Sequence, residues 1–256
     1  MKIFLKPKYE ESTSNYYHFL IGYLLPIVDV LSNNTDKKVE YVVRDCGLMN
    51  TWFEKLKMSY DIKIINSEEF LIQSLGSDDV ITFNYYDDPN FPNKPDTADM
   101  LKKVRKVYGV NNYNNIGVGI LTRSFAKTNI SGFTKKNNKS RFIKNIEELT
   151  DVINKKVGDC ILLDTSKDDY QSVVNTYNNL STLIGQWGAG LTNMIWMPFN
   201  STIIEITSKD KFKDHQWDDC YKELAKLLNH NFISVEAQEV WDGQVDIQKI
   251  LELVKN

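Results

Sequence analysis

Residue types and spacing point most directly to chemistry between Ser181 and Thr207, where the chain reads STLIGQWGAGLTNMIWMPFNSTIIEIT. A short apolar strand, Thr182–Ile184, breaks at Gly185. Gly185, Trp187, Gly188, Ala189 and Gly190 then lead into a helix-like run through Leu191, Thr192, Asn193 and Met194, which Pro198 ends. A glycine-rich turn between strand and helix lets backbone N–H groups approach a ligand closely. The helix N-terminus adds the positive end of its dipole, so the turn suits a phosphate or diphosphate. The next strand, Thr202–Ile206, carries one charge, Glu205, and a carboxylate there can accept hydrogen bonds from a ribose diol. The competing reading is packing, since strand–glycine–helix turns also serve to seat a helix on a sheet.

Other residues could complete such a site. Arg123 ends the run GVGILTR, and a guanidinium at a strand's carboxyl end can hold a diphosphate bidentately, which Lys does less well. Arg141 stands four residues before Asn145, which also reads as a helix cap; for Arg141 the alternative is a surface pair with Glu147 or Glu148. Trp187 can stack on a nucleobase or fill the floor of a cleft. His18 is one of three histidines, and imidazole is the natural general base for a hydroxyl near neutral pH. A hydrogen-bonded structural histidine is the alternative. Asp45, after the strand KVEYVV, and Asp87 or Asp88, after VITF, are carboxylates that could replace it, though Asp88-Pro89 also fits plain turn chemistry. Asp218-Asp219 reads as the solvated first turn of a helix rather than a metal pair.

These residues need strands and helices to hold them. Strands are expected at 2–5, 38–43, 62–65, 80–83, 116–122, 160–163, 182–184, 202–206 and 231–235. Helices are expected at 15–31, 52–58, 68–75, 98–108, 146–153, 170–177, 217–228 and 245–255. Pro26 should bend or limit the first helix. Strands alternating with helices imply α/β architecture with parallel sheets, here two Rossmann-like domains facing a cleft. The Asn-rich stretch GVNNYNN marks the boundary, giving domains at 1–110 and 116–240. The last helix, 244–256, has one apolar stripe.

At 256 residues with 42% hydrophobic and 25% charged residues, the chain has the balance of a soluble globular protein with a sizeable core. A net charge of −3 gives no support to a nucleic-acid partner. Cys46, Cys160 and Cys220 are widely spaced, against a zinc site or disulfide framework and in favour of a reducing compartment, the cytoplasm. The start MKIFLKPKYEE is too charged for a signal peptide, and no apolar run reaches the ~18 residues of a membrane span.

GQWGAGLTNMIWMP followed by STIIEI resembles the G-x-H-G-A-x-L-T-N signature of family 61 glycosyltransferases. NYYHFLIGYLLP (Asn15–Pro26) is similar to that family's N-terminal His-aromatic segment. LTR with SRFIKNIEEL is similar to its R…R-x-x-x-N-x-x-E-L segment. Trp187 stands where the family usually has His, and Gly22 stands where it often has an acidic residue. The resemblance implies a GT-B enzyme, inverting and metal-independent, that needs no cofactor and whose last helix, 244–256, crosses back to the first domain. It would transfer xylose, N-acetylglucosamine or arabinose from a UDP-sugar to a glycan or glycoprotein hydroxyl. It also implies that Arg123, Arg141, Asn145, the Gly185–Asn193 turn and Glu205 hold the donor and that His18, or alternatively Asp45, is the base. A non-catalytic nucleotide- or glycan-binding protein on the same fold is the alternative.

Overall fold

The structure is a computed structural model. It describes residues 1–34, 36, 38–83, 95–111, 117–122, 143–164, 168–207, 219–237 and 244–255. Arg123, Arg141, Asp87, Asp88, Trp217 and Asp218 lie outside the described residues. The chain forms two compact units, residues 1–110 with 169–174, and residues 111–168 with 175–256.

The first unit is built on a parallel sheet of β1 (Lys2–Pro7), β2 (Glu40–Arg44), β3 (Asp61–Ile65) and β4 (Val80–Phe83), in the order β3-β2-β1-β4. The chain steps outward from β1 through β2 to β3, then jumps to β1's other side. The topological switch point therefore lies between β1 and β4. Helix α3 (Thr51–Lys57) links β2 to β3, and α4 (Ser67–Leu75) links β3 to β4. Phe4, Val42, Ile65 and Phe70 form one buried cluster, in which Phe4 and Phe70 meet edge-to-face at 5.7 Å. Helix α5 (Pro95–Tyr108) starts with proline at its first position, where the missing N–H costs nothing.

The long helix expected at 15–31 is present but changes winding along its length. It runs as α1 (Tyr16–Phe19), a π-helical segment (Leu20–Leu24) and α2 (Leu25–Asn33). Pro26 explains the wider middle: it has no N–H to give the carbonyl four residues back, and its ring would press on that carbonyl. The Leu25 N–H instead donates to Leu20 O, five residues back, and the helix continues. Within this segment Tyr23 is fully buried. Its hydroxyl donates to Leu5 O at 2.7 Å and accepts from the Arg44 N–H at 3.0 Å, clipping β1 to the end of β2.

The second unit carries a five-stranded parallel sheet: β5 (Gly117–Leu121), β6 (Cys160–Leu163), β7 (Leu180–Gln186), β8 (Thr202–Thr207) and β9 (Asn231–Glu236). Its order is β6-β5-β7-β8-β9, the 2-1-3-4-5 arrangement of a doubly wound sheet, with the switch point between β5 and β7. Helices α6 (Ile146–Lys156), α8 (Cys220–Leu227) and α9 (Ile247–Lys255) accompany it, with α7 (Tyr170–Asn178) belonging to this unit from Asn175 onward. Val118, Ile120, Ile184, Ile204 and Ile206 from the sheet pack with Leu149 and Ile153 of α6 and Ile250 of α9. Burying each such side chain stabilises the unit by about 1.5–3 kcal/mol. Helix α9 packs its apolar stripe within the second unit, against α6.

Candidate functional site

Ligands of open α/β sheets sit outside the carboxyl ends of the strands at the switch point. In the second unit that position belongs to the chain leaving β7 beside the end of β5, which is the stretch Trp187–Gly190. Strand β7 runs through Gln186, two residues past its expected end at Ile184 and through the break expected at Gly185. Gly185 pairs in register with Glu205, and Gln186 with Ile206. The absence of a side chain at Gly185 serves packing. A Cβ there would lie 2.4 Å from Leu121 Cδ1 and 3.1 Å from Leu121 Cβ. The same leucine crowds Gly190, where a Cβ would meet its Cδ1 at 3.3 Å.

Gly188 makes the turn itself. Its φ of 156° and ψ of 172° fall in a region open essentially to glycine alone. A 3-10 helix, Ala189–Trp196, starts from it. The Leu191 N–H is taken by Gly188 O at 2.9 Å, so the N–H groups of Ala189 and Gly190 have no intrahelical partner, and both residues are part-exposed. Those two amides are what the turn offers an anion.

Beyond Gly190 the run turns inward, which changes the roles expected for it. Leu191, Thr192 and Asn193 are fully buried. Asn193 Nδ2 donates to Tyr177 Oη at 3.3 Å and to Gly190 O at 3.1 Å, so this amide shapes the turn from beneath. His230 braces it further along, with Nε2 3.0 Å from Met194 O. Trp187 is half-buried. Its N–H donates to Ile206 O at 3.1 Å, and its indole meets Tyr221 of α8 edge-to-face at 6.0 Å.

Glu205 is buried in the row Gly185–Glu205–Ser234 across β7, β8 and β9, and its Oε1 accepts from Ser234 Oγ at 3.4 Å. Asn145 pairs with the segment entering α9. Its Nδ2 donates to Val245 O and its Oδ1 accepts from Val245 N–H, both at 3.0 Å, across a hundred residues of sequence. It occupies the N-cap position of α6 without capping it, because both halves of the amide are spent on the segment entering α9.

Sequence reasoning passed over two further residues. Gln186 Oε1 and Thr207 Oγ1, at the carboxyl tips of β7 and β8, are buried and make no hydrogen bond among the described residues. Each such group costs about 1–3 kcal/mol. The available signal was that each is the polar residue ending its strand, after the apolar run of β7 and beside Ile206 of β8. Thr192 Oγ1 is similarly unbonded, inside the 3-10 helix.

In the first unit, His18 lies in the helical turn that follows β1, the strand beside the switch point. Asn15 caps that turn, its side chain accepting from the Tyr17 N–H at 3.1 Å. The imidazole is half-buried and edge-on to the Tyr17 ring at 5.5 Å. Asp45 is exposed, and its Oδ1 accepts from the Gly47 N–H at 2.8 Å and from Asn50 Nδ2 at 2.6 Å. The Gly47 bond first, then the Asn50 bond, hold its carboxyl below the ordinary carboxylate value. It is thereby a weaker proton acceptor than an unconstrained aspartate.

The cysteines are free and buried, and burial pushes the Cys46 thiol up to about 12 and the Cys160 thiol up to about 11. Among the described residues no three His, Cys, Asp or Glu side chains group closely enough to hold a metal ion. No helix among them is long and apolar enough to cross a membrane.

A family model, Glycosyltransferase 61, matches residues 16–204, more than half of the chain. The match takes in the His18 helix at one end and β7, the glycine turn and the first half of β8 at the other. No individually curated protein matches the chain.

Proposed function

This chain belongs to glycosyltransferase family 61, and from that premise we propose that it is an inverting enzyme of GT-B type using a UDP-sugar. The transferred sugar is xylose, N-acetylglucosamine or arabinose, and the acceptor is a hydroxyl of a glycan or glycoprotein. The observation that carries the reading is the position of Trp187–Gly190 at the switch point of the second unit's sheet, with the Ala189 and Gly190 amides left over by the 3-10 helix. In this reading the diphosphate lies on those amides and is gripped by Arg123 and Arg141. Glu205 takes the ribose, and Trp187 packs beside the base. Gly185, Leu191, Thr192 and Asn193 act from below, by shaping the turn.

His18 is the base. It accepts the acceptor hydroxyl's proton while the oxygen attacks the anomeric carbon from the face opposite the diphosphate. The bond from the anomeric carbon to the diphosphate oxygen breaks, and UDP departs with the electron pair. The developing charge is met by the backbone N–H groups of the turn and by the two guanidinium groups, the kind of electrostatic stabilisation that contributes most to such transfers. No metal is required in this scheme. Asp45 serves less well as base, since its Oδ1 is tied to its own turn and its proton affinity is lowered.

Calorimetric titration with UDP in EDTA tests the donor half. Saturable binding that weakens by ~1.5–3 kcal/mol in Arg123→Ala is expected for a charged hydrogen bond to the diphosphate. Wild-type protein that binds UDP only with manganese, or Arg123→Ala with unchanged affinity, would overturn it.

A further inference from the structure

We propose that Gln186 and Thr207 are specificity-determining residues that hydrogen-bond a donor group of the nucleotide sugar; this rests on the donor-site reading above. Both atoms, Gln186 Oε1 and Thr207 Oγ1, are shut away from water and have no hydrogen-bond partner among the described residues. Both close strands that the sheet sets side by side, in register at Gln186 and Ile206. Side chains alternate between faces along a strand. Gln186 shares its face with Ile206, and Thr207 takes the other, the face of Glu205. A ligand lying across the carboxyl edge of β7 and β8 therefore meets one residue from each side.

The chemistry of the pair narrows what part of the ligand it reads. An amide oxygen can only accept, so its partner must carry N–H or O–H. A diphosphate at neutral pH has no proton to give and cannot satisfy Gln186. The partner is a hydrogen-bond donor on the nucleoside or on the transferred sugar. The Thr207 hydroxyl can accept from such a group or donate to an oxygen beside it. The Gly188 turn and the Trp187–Tyr221 contact fix the chain directly after Gln186, which keeps that tip in place.

A binding role and a structural role predict opposite signs. Gln186→Met and Thr207→Val keep the volume of each side chain and remove the unbonded oxygen. Without ligand, each variant should melt at or above the wild-type temperature, because a buried group without a partner has been replaced by an apolar one. Calorimetric affinity for UDP-xylose and UDP-N-acetylglucosamine should fall roughly tenfold in each. Repeating the titration with uridine separates the two sources. A loss already present with uridine puts the donor group on the nucleoside, and a loss seen only with the UDP-sugars puts it on the transferred sugar. Variants that melt lower than wild type and bind as wild type does would overturn the inference and leave the donor site standing. A wild-type protein that binds none of these ligands would overturn the donor site, and the inference with it.

Discussion

Gly185→Ala tests whether the glycines of the turn are there for packing. The added Cβ would stand 2.4 Å from Leu121 Cδ1 and 3.1 Å from Leu121 Cβ and Cγ. Rotation of the leucine can relieve the first contact but not the second, which lies at the root of the side chain. Overpacking of this kind costs about 1–3 kcal/mol. Alanine returns about 0.4–1 kcal/mol by restricting the unfolded chain. The net expectation is a loss of about 1–2 kcal/mol, or roughly 2–8 °C in melting temperature for a chain of this size. Leu121→Ala should remove most of that penalty, so the two substitutions together should be less damaging than their separate effects added. A double-mutant cycle by thermal or urea melts reads the coupling directly, and a coupling of about 1 kcal/mol or more is expected. UDP affinity measured well below the melt should be close to wild type. Gly185→Ala melting at or above wild type, or additive effects with Leu121→Ala, would refute the packing account.

Asn145→Ala should lose about 1–3 kcal/mol by leaving the Val245 N–H and C=O unpaired, with faster hydrogen exchange in α9 and unchanged UDP affinity. A fall in affinity without a fall in stability would return Asn145 to the donor site. Tyr23→Phe removes the clip between Leu5 O and the Arg44 N–H and should cost about 1–3 kcal/mol in urea melts. A neutral effect would mean that the π segment is held by packing alone. Asp45's lowered carboxyl adds stability that is present above the unfolded value near ~3.9 and is lost as pH falls through its lower folded value. Asp45→Asn should therefore melt slightly below wild type at pH 7 and converge with it in strong acid, whereas a constant gap across pH would contradict the assignment.

Hydrophobic periodicity made the elements legible. VITF, CILL and EYVV could hardly be anything but strands, and the alternation with helical segments implied parallel sheets. The order of the strands was not legible, because nothing local says which side of β1 receives β4, or that β7 slots between β5 and β8. The candidate site was readable in its outline and not in its division of labour. Gly188 must be glycine for its backbone, but Gly185 and Gly190 are small on account of Leu121, some sixty residues away. Asn193 and Asn145 looked alike as polar residues in a signature, yet one braces the turn and the other holds Val245. Those partners are set by tertiary packing. Pro26 was read correctly as a perturbation, but a π segment rather than a bend absorbed it, since one wider turn restores bonding for less than a broken helix.

The most direct test of the central claim is steady-state transfer from a UDP-sugar in EDTA, followed by UDP release, across pH, for wild type and His18→Ala. Turnover should persist without metal and should rise with pH through the range where free imidazole titrates, near ~6.5. His18→Ala should lower the rate roughly 10²–10⁴-fold while binding UDP as wild type does. Turnover that vanishes in EDTA and returns with manganese, or a well-folded His18→Ala protein that transfers at the wild-type rate, would contradict the account.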